Sequence, residues 1–367
     1  MTTPTVVLRN RSISHVQTFT KVEPGPAFVV SHGAAADLWA RLRAFDDRSL
    51  RDYLEDCYPT EMLVRMDELS AARDSSLRPV TMPRVTPLAY EDLTRALRTE
   101  GQIDVLVGSR RNRRDSSLVK CHVWHGPLPD GLLVKLARHI YVCAPELVFL
   151  QMANQLEPLA LQEFAYELCS SYVRMESGAG PLYDDVRPLT TPLRLRAAVR
   201  IAGGIRGLDA ARQAAEHVHA RSRSPRESQL AILLGFPRRR GGFGCGPLEM
   251  DHRIELSDDA QAVSGRDHLV ADIYVPAAKT DIEYQVGHHQ GSANRARDDA
   301  RTNALALVGV REHRIWGEQL YDERFMSGVS RLIRKHAGLR DEPLGASSLE
   351  KRRQLIEKLR GSSTGSN

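Results

Sequence analysis

The sequence predicts an α/β protein in which a mixed α/β N-terminal domain precedes a C-terminal domain built on a mixed sheet flanked by helices. Several segments repeat apolar residues at helical spacing, whereas short apolar runs bounded by Gly and Pro are typical of strands. In the C-terminal part the two kinds of segment are interleaved, as in an α/β domain. With 367 residues, of which 42% are hydrophobic and 26% charged, the chain is long enough for two domains.

The N-terminal domain is predicted over residues 1–176. Ser31 is placed to cap a helix in HGAAADLWARLRAF, and helical spacing continues to residue 71. PLAYEDLTRALRTE predicts another helix, and IDVLVGS, SLVKCHVW and ARHIYVCA predict strands. Residues 145–172 are apolar nearly all round, as expected for a buried helical pair. We expect this domain to regulate the protein or to recognise its target.

The C-terminal domain is predicted over residues 222–336. Gly and Pro residues between 176 and 192 indicate the boundary, and residues 177–221 are interpreted as a linker with two bridging helices. A helical tail with a disordered end is predicted over residues 337–367. Within the domain the pattern predicts helix 225–234, strands 250–256, 268–275 and 281–286, helix 294–308, strand 310–316 and helix 318–336.

Composition limits the classes of function. The five cysteines are scattered and none forms a C-x-x-C pair, which argues against a disulfide framework or a thiolate zinc site. No secretory signal and no bilayer-spanning apolar stretch is found, so we expect a cytoplasmic protein without a membrane partner. Seven of the 51 basic residues are lysines, which leaves 44 arginines. Arginine suits forked phosphate contacts, although a GC-rich genome would produce the same bias.

The segment ADIYVPAAKTDIEYQVGHH, residues 271–289, predicts an acidic hairpin. Side chains alternate along a strand, so Glu283 and Gln285 share one face. If PAAK is the turn, Val275 pairs with Thr280 and Asp272 lies across from Glu283. Two carboxylates on directly opposite residues repel each other unless a cation lies between them. Mg²⁺ or Mn²⁺ would remove this repulsion. Solvated acidic residues on adjacent strands are the alternative.

Four sequence blocks resemble, in order, those of the PD-(D/E)XK endonuclease superfamily, and more narrowly those of actinobacterial endonuclease-domain proteins related to very-short-patch-repair nucleases. The blocks are SPRE at 224–227, DIYVP at 272–276, EYQVGHH at 283–289 and DDARTNAL at 298–305. The resemblance covers roughly residues 222–318 and implies a restriction-endonuclease-like fold that hydrolyses DNA phosphodiesters with Mg²⁺ or Mn²⁺. It implies Asp272 and Glu283 as metal ligands, with Glu227 orienting the metal or its water.

The resemblance also implies roles for residues around the metal. His289 and Arg301 would lie on the phosphate side, and Asp298 would hold Arg301. Gln285 stands where the wider superfamily has its catalytic lysine; its amide can orient a water but carries no charge. Lys279, in the predicted turn, is a candidate replacement that could contact nucleic acid, with a solvated turn lysine as the alternative.

Two basic clusters are candidates for nucleic-acid contacts, SRRNRR at 109–114 and PRRRGGFG at 237–244. Arg238, Arg239 and Arg240 are expected to contact DNA phosphates because their cluster is next to the proposed site in the chain, and Gly beside Arg allows a close approach. For the first cluster, a solvated hairpin loop is an equal alternative.

The segment RHIYVCAPELVFLQMA resembles part of abortive-infection-type antitoxin regulators, which implies a genome-defence setting. The leading hypothesis is therefore an endonuclease in genome defence or repair. The alternative is a catalytically degenerate nuclease fold that binds DNA as a regulator or antitoxin, and a structural module with an incidental acidic hairpin fits the matched blocks poorly. DNA is the expected partner, with a second copy of the chain or a defence-system protein as further candidates.

Overall fold

A computed structural model describes residues 28–44, 102–124, 132–137, 140–174, 182–285 and 292–363. These residues form two mixed β-sheets, a two-stranded ribbon and ten α-helices, which confirms the predicted mixed α/β class. Several sequence predictions lie outside the described residues: the helix at 87–100, the helical spacing after residue 44, and His289. No helix among the described residues combines the length and apolarity needed to cross a membrane.

The first sheet contains the strands predicted from IDVLVGS, SLVKCHVW and ARHIYVCA. Its order is β3-β2-β1-β5-β4, with β1 parallel to β5, β2 parallel to β3, and the other neighbours antiparallel. Helix α1 follows β1 directly. The elements are β1 (Phe28–Val30), α1 (His32–Ala44), β2 (Ile103–Val107), β3 (Val119–Val123), β4 (Leu133–Ala137) and β5 (Ile140–Cys143).

Helices connect this sheet to the rest of the chain. The predicted buried pair is present as two helices that each have Pro in the first turn, and the bridging helices follow a short ribbon. Thr191 caps the first bridging helix by accepting a hydrogen bond from the Arg194 amide. The elements are α2 (Pro145–Met152), α3 (Pro158–Cys169), β6 (Val173–Arg174), β7 (Leu182–Tyr183), α4 (Pro192–Ile201) and α5 (Leu208–His217).

The second sheet has the order β11-β10-β9-β8, with β10 parallel to β11 and the other neighbours antiparallel. Its elements agree closely with the predicted segments, apart from the short helix α7, which was not predicted. They are α6 (Pro225–Gly235), β8 (Glu249–Glu255), α7 (Asp258–Ser264), β9 (His268–Val275), β10 (Thr280–Gln285), α8 (Ser292–Leu307), β11 (Arg311–Trp316), α9 (Glu323–His336) and α10 (Ala346–Ser363).

Two helix starts depend on capping. Ser257 caps α7 by accepting a hydrogen bond from the Ala260 amide. The prediction that the last helix of the domain begins at residue 318 is wrong, because residues 317–321 form a 3₁₀ turn and α9 begins at Glu323. Asp322 accepts hydrogen bonds from two first-turn amides of α9, which fixes the start there.

The core runs continuously from the first sheet through α2 and α3 to the second sheet. Helix α3 packs on α6, and α6 in turn covers the apolar face of the second sheet, formed by Ile273, Val275, Ile282 and Ile315. The opposite face of the same strands carries acidic side chains and meets α8. The division into two domains remains a prediction.

Candidate active site

The β9–β10 hairpin brings Asp272 and Glu283 together. Val275 pairs with Thr280, as predicted, and the same register places Asp272 across from Glu283. The Asp272 amide donates to Glu283 Oε1 (3.4 Å), and the Tyr284 amide donates to Asp272 Oδ2 (2.9 Å). The two carboxylates therefore lie side by side on one face of the sheet.

A third carboxylate, Asp251, extends this pair into a row. β8 pairs with β9 on both sides of Asp251, which places it across from Asp272. Asp251 has a φ of 50°, a left-handed conformation that is uncommon for a residue other than Gly. Burial raises the pKa of Asp272, and the charge of Asp251 raises it further. Asp251 was not predicted as a site residue, because the sequence shows that it lies in a strand but not that this strand pairs with β9.

A cavity of about 590 Å³ opens beside Asp251, between β8 and the bridging helices. Its lining includes Arg196, Arg221, His219 and His252. The rings of Tyr274 and His252 are stacked, with their centroids 4.3 Å apart. His252 Nδ1 lies 2.6 Å from Glu249 Oε2. Asp251 therefore lies both at the end of the row and in the wall of this cavity.

Glu227 lies beside Asp272 at the start of α6. Ser224 caps the helix by accepting a hydrogen bond from the Glu227 amide (3.2 Å), and its hydroxyl donates to Glu227 Oε1 (2.9 Å). The Arg223 amide donates to Glu227 Oε2 (2.8 Å), so the Glu227 carboxylate in turn accepts a hydrogen bond from the backbone just before the helix. Burial and the charge of Asp272 raise the pKa of Glu227 to about 7. Glu227 thus stabilises the start of α6 and interacts electrostatically with Asp272.

Arg301 of α8 lies among the acidic side chains. Its Nη2 donates to Asp281 Oδ2 (2.6 Å) and to Glu283 Oε1, and its Nε donates to Glu312 Oε1 (3.0 Å). The same Nη2 also donates to the Val270 carbonyl oxygen (2.8 Å). The resemblance implied Arg301 on the phosphate side, whereas its guanidinium is engaged by carboxylates of the protein.

The expectation that Asp298 holds Arg301 is wrong. Asp298 instead forms an ion pair with Arg314 (3.4 Å), the residue that β11 places across from Glu283. Arg314 also pairs with Glu312 at 3.0 Å. Arg301 and Arg314 therefore share Glu312 as an ion-pair partner, and Asp298 is a further partner of Arg314.

Asp281 is the second acidic residue that the sequence analysis missed. Its side chain is fully buried, and Oδ1 has no hydrogen-bond partner among the residues that the structure describes. Burial raises the pKa of Asp281 to about 6 despite the contact with Arg301. The signal was the two-residue spacing from Glu283, which places both side chains on one strand face.

The carboxylates outnumber the cations that neutralise them. Burial, Asp272 and Asp281 together raise the pKa of Glu283, even though Arg301 bonds to it. Carboxyl groups that raise one another's pKa suit a divalent cation, which is bound in proteins by one or two carboxylates and several waters. Across the described ranges, however, no set of three or more His, Cys, Asp or Glu side chains is placed to hold a metal ion. A metal here would rest on the Asp272–Glu283 pair.

Gln285 and Lys279 lie at opposite ends of β10. Gln285 is half-buried at the last position of the strand, on the same face as Glu283. Lys279 is exposed in the turn with a φ of 45°, four residues before Glu283, or about 13 Å at the usual rise per residue. Lys279 is therefore too far along the strand to replace a lysine at position 285.

The cluster Arg238–Arg240 forms a 3₁₀ turn whose arginines differ in exposure. Arg238 donates to the Glu342 carbonyl oxygen and lies 3.8 Å from Asp341. Arg240 stacks on the Phe236 ring at 4.3 Å, and Arg239 is exposed. Arg239 can therefore make the expected contact with a DNA phosphate, whereas the guanidinium groups of Arg238 and Arg240 contact the protein.

Comparison of the chain with protein-family models, with curated proteins and with solved structures finds no match.

Proposed function

We propose that the chain is a Mg²⁺-dependent DNA endonuclease of the restriction-endonuclease-like fold, cytoplasmic and acting in genome defence or repair. One observation carries the proposal: Asp272 and Glu283, which the resemblance assigns as metal ligands, are adjacent on one sheet face. The mixed sheet with helices on both faces, and Glu227 beside Asp272, support the same assignment. Mn²⁺ is expected to replace Mg²⁺.

Each residue has a distinct role in this proposal. Asp272 and Glu283 hold the cation, which supplies a more acidic water and stabilises charge on the phosphate. Glu227, with a pKa of about 7, can accept a proton near neutral pH. The Gln285 amide can orient the water but leaves the phosphate without the ammonium of the wider superfamily. Arg301 bridges Asp281 and Glu283 through its Nη2.

A second candidate is a catalytically degenerate nuclease fold that binds DNA as a regulator or antitoxin. The contact of Arg301 with Glu283 favours it, because a guanidinium already neutralises one of the two proposed metal ligands. Gln285, which cannot be charged, favours it as well. The two candidates differ in whether the carboxylate pair binds a divalent cation.

The test combines Mn²⁺ titration calorimetry with cleavage of a panel of DNA substrates. We expect the wild type to bind Mn²⁺ and to cleave, and Glu283→Gln to lose both while keeping its DNA affinity in EDTA. Gln285→Lys is expected to retain or raise cleavage, because an ammonium stabilises charge on the phosphate. The matched control is Glu255→Gln, which removes one exposed carboxylate at the end of β8. A wild type that binds no divalent ion and cleaves none of the panel would establish the regulator instead.

A further inference from the structure

The turn between β2 and β3 is the most basic exposed segment among the described residues that the proposed active site does not use. Residues 108–118, which form the turn, contain four arginines against a single carboxylate, Asp115. The turn connects two parallel neighbouring strands of the first sheet. The chain must therefore return from the end of β2 to the start of β3 in only eleven residues.

The backbone of this turn is held in place by several hydrogen bonds. Asp115 Oδ1 accepts from the Cys121 amide (2.7 Å), and the Arg114 amide donates to Cys121 Sγ (3.3 Å). Gln102 Nε2 donates to the Ser116 carbonyl oxygen (2.6 Å). Residues 110–112 form a 3₁₀ turn. The arginines are therefore presented from a fixed backbone, which lowers the entropy lost when a ligand binds them.

The guanidinium groups of the turn lie in solvent. Arg113 pairs with Asp115, and Arg114 donates to the carbonyl oxygens of Arg111 (3.0 Å) and Arg113 (2.8 Å). Arg110 and Arg111 are exposed and form no ion pair with any residue that the structure describes. Arg110 and Arg111 are adjacent cations, and no carboxylate of the described residues relieves the repulsion between them.

The two basic clusters differ in how far their guanidinium groups contact the rest of the protein. Arg238 and Arg240 contact a carbonyl oxygen and an aromatic ring of the protein, as described above. Arg110 and Arg111 have no such contact with the described residues, and their guanidinium forks remain available for phosphate oxygens. The cluster at 109–114, for which the sequence offered phosphate contacts and a solvated loop as equal alternatives, is thus better placed to contact phosphates than the cluster at 237–244.

We propose that the Arg110–Arg114 turn is a surface of the first sheet that binds the phosphate backbone of duplex DNA. The inference adds a contact surface to the proposed function and rests on it only in taking DNA as the partner. Binding of this kind is independent of base sequence and of the metal, because it depends on the release of counterions from phosphates. An acidic protein is the competing partner that the experiment must separate.

The experiment measures binding of a 20-base-pair duplex by fluorescence anisotropy in EDTA at a series of salt concentrations. Arg110→Ala/Arg111→Ala should weaken binding by roughly tenfold or more at about 0.1 M salt and lower the log–log salt slope by about two units. Its thermal midpoint should stay equal to that of the wild type or rise, because repulsion is relieved. The control Arg324→Ala/Arg331→Ala removes the same charge from exposed positions of α9 and should leave the slope unchanged.

An unchanged slope in Arg110→Ala/Arg111→Ala would overturn the proposal, as would equal losses in both double variants, which would reflect net charge alone. A wild type that binds no duplex would also overturn it and would leave an acidic protein as the partner. The result is separate from the nuclease assignment, because binding is measured without metal. A protein that never cleaves can still show the slope change.

Discussion

At the scale of single residues, Glu227 links the stability of the fold to the chemistry of the candidate site. Its two carboxylate oxygens accept hydrogen bonds at the start of α6, while burial and Asp272 raise its pKa to about 7. A carboxyl group that ionises near neutral pH in the fold, but near 4.5 in the unfolded chain, makes folding depend on pH.

The sign of this dependence follows from proton uptake. Between pH 4.5 and about 7 the folded chain binds more protons at Glu227 than the unfolded chain, so the stability contributed by this group falls as pH rises. Glu227→Gln keeps an oxygen able to accept the hydrogen bond from the Arg223 amide but removes the titration. We expect urea unfolding of this variant to lose up to about 3 kcal/mol of pH-dependent change across the window. Parallel pH profiles for variant and wild type would contradict the assignment.

At the scale of elements, the Arg/Gly-rich loop after α6 packs against α10. The Arg352 side chain is buried, stacks on the Phe243 ring at 4.2 Å, and donates to the carbonyl oxygens of Gly241 (3.2 Å) and Gly242 (2.9 Å). A Cβ on Gly241 would lie 2.6 Å from the Lys351 carbonyl oxygen. The close backbone approach expected from these glycines is therefore made to the protein's own last helix.

Gly241→Ala tests this packing against a glycine of similar conformation. Gly241 has a φ of 90° and Gly265 a φ of 69°, but a Cβ on Gly265 would have no atom within 4 Å. Both substitutions cost about 1–2 kcal/mol for the left-handed conformation, and Gly241→Ala adds the clash with α10. We expect urea unfolding to show the larger loss for Gly241→Ala. Equal losses would mean that α10 moves away at little cost.

The elements of the second sheet and its helices were predictable from sequence because their signals are local. The alternation of β10 and the length of the PAAK turn together determine the pairing of Val275 with Thr280, and with it the neighbourhood of Asp272 and Glu283. The partners of Arg301 and the position of Asp251 depend on strands and helices far apart in sequence, so no local pattern contains them. The predicted start of α9 was wrong because the apolar spacing begins at 318, whereas the Asp322 side chain caps the helix and fixes its start at Glu323.

At the scale of the whole molecule, one buried core connects the two sheets. Buried residues extend from Val29 in β1 to Leu359 in α10, through contacts of α3 with α6. Sheets that share a core lose it together when either unfolds, so we expect the two halves to unfold in one cooperative transition.

Tryptophan fluorescence can test this, because Trp39 lies in α1 beside the first sheet and Trp316 at the end of β11 in the second. In variants that keep only one tryptophan, with the others replaced by Phe, the thermal midpoints reported by Trp39 and by Trp316 should coincide. Midpoints several degrees apart in the same background would show that the halves unfold independently, and the shared core would then contribute little to their coupling.

The left-handed conformation of Asp251 has a consequence for self-association. β8 is the last strand of its sheet, and an outermost strand offers unpaired amide and carbonyl groups to any extended chain that meets it. A left-handed residue in the middle of β8 interrupts that row of groups, and a charged side chain at the same position resists the approach of a second strand. The residue that adds negative charge beside Asp272 therefore also protects the open edge of the sheet from aggregation.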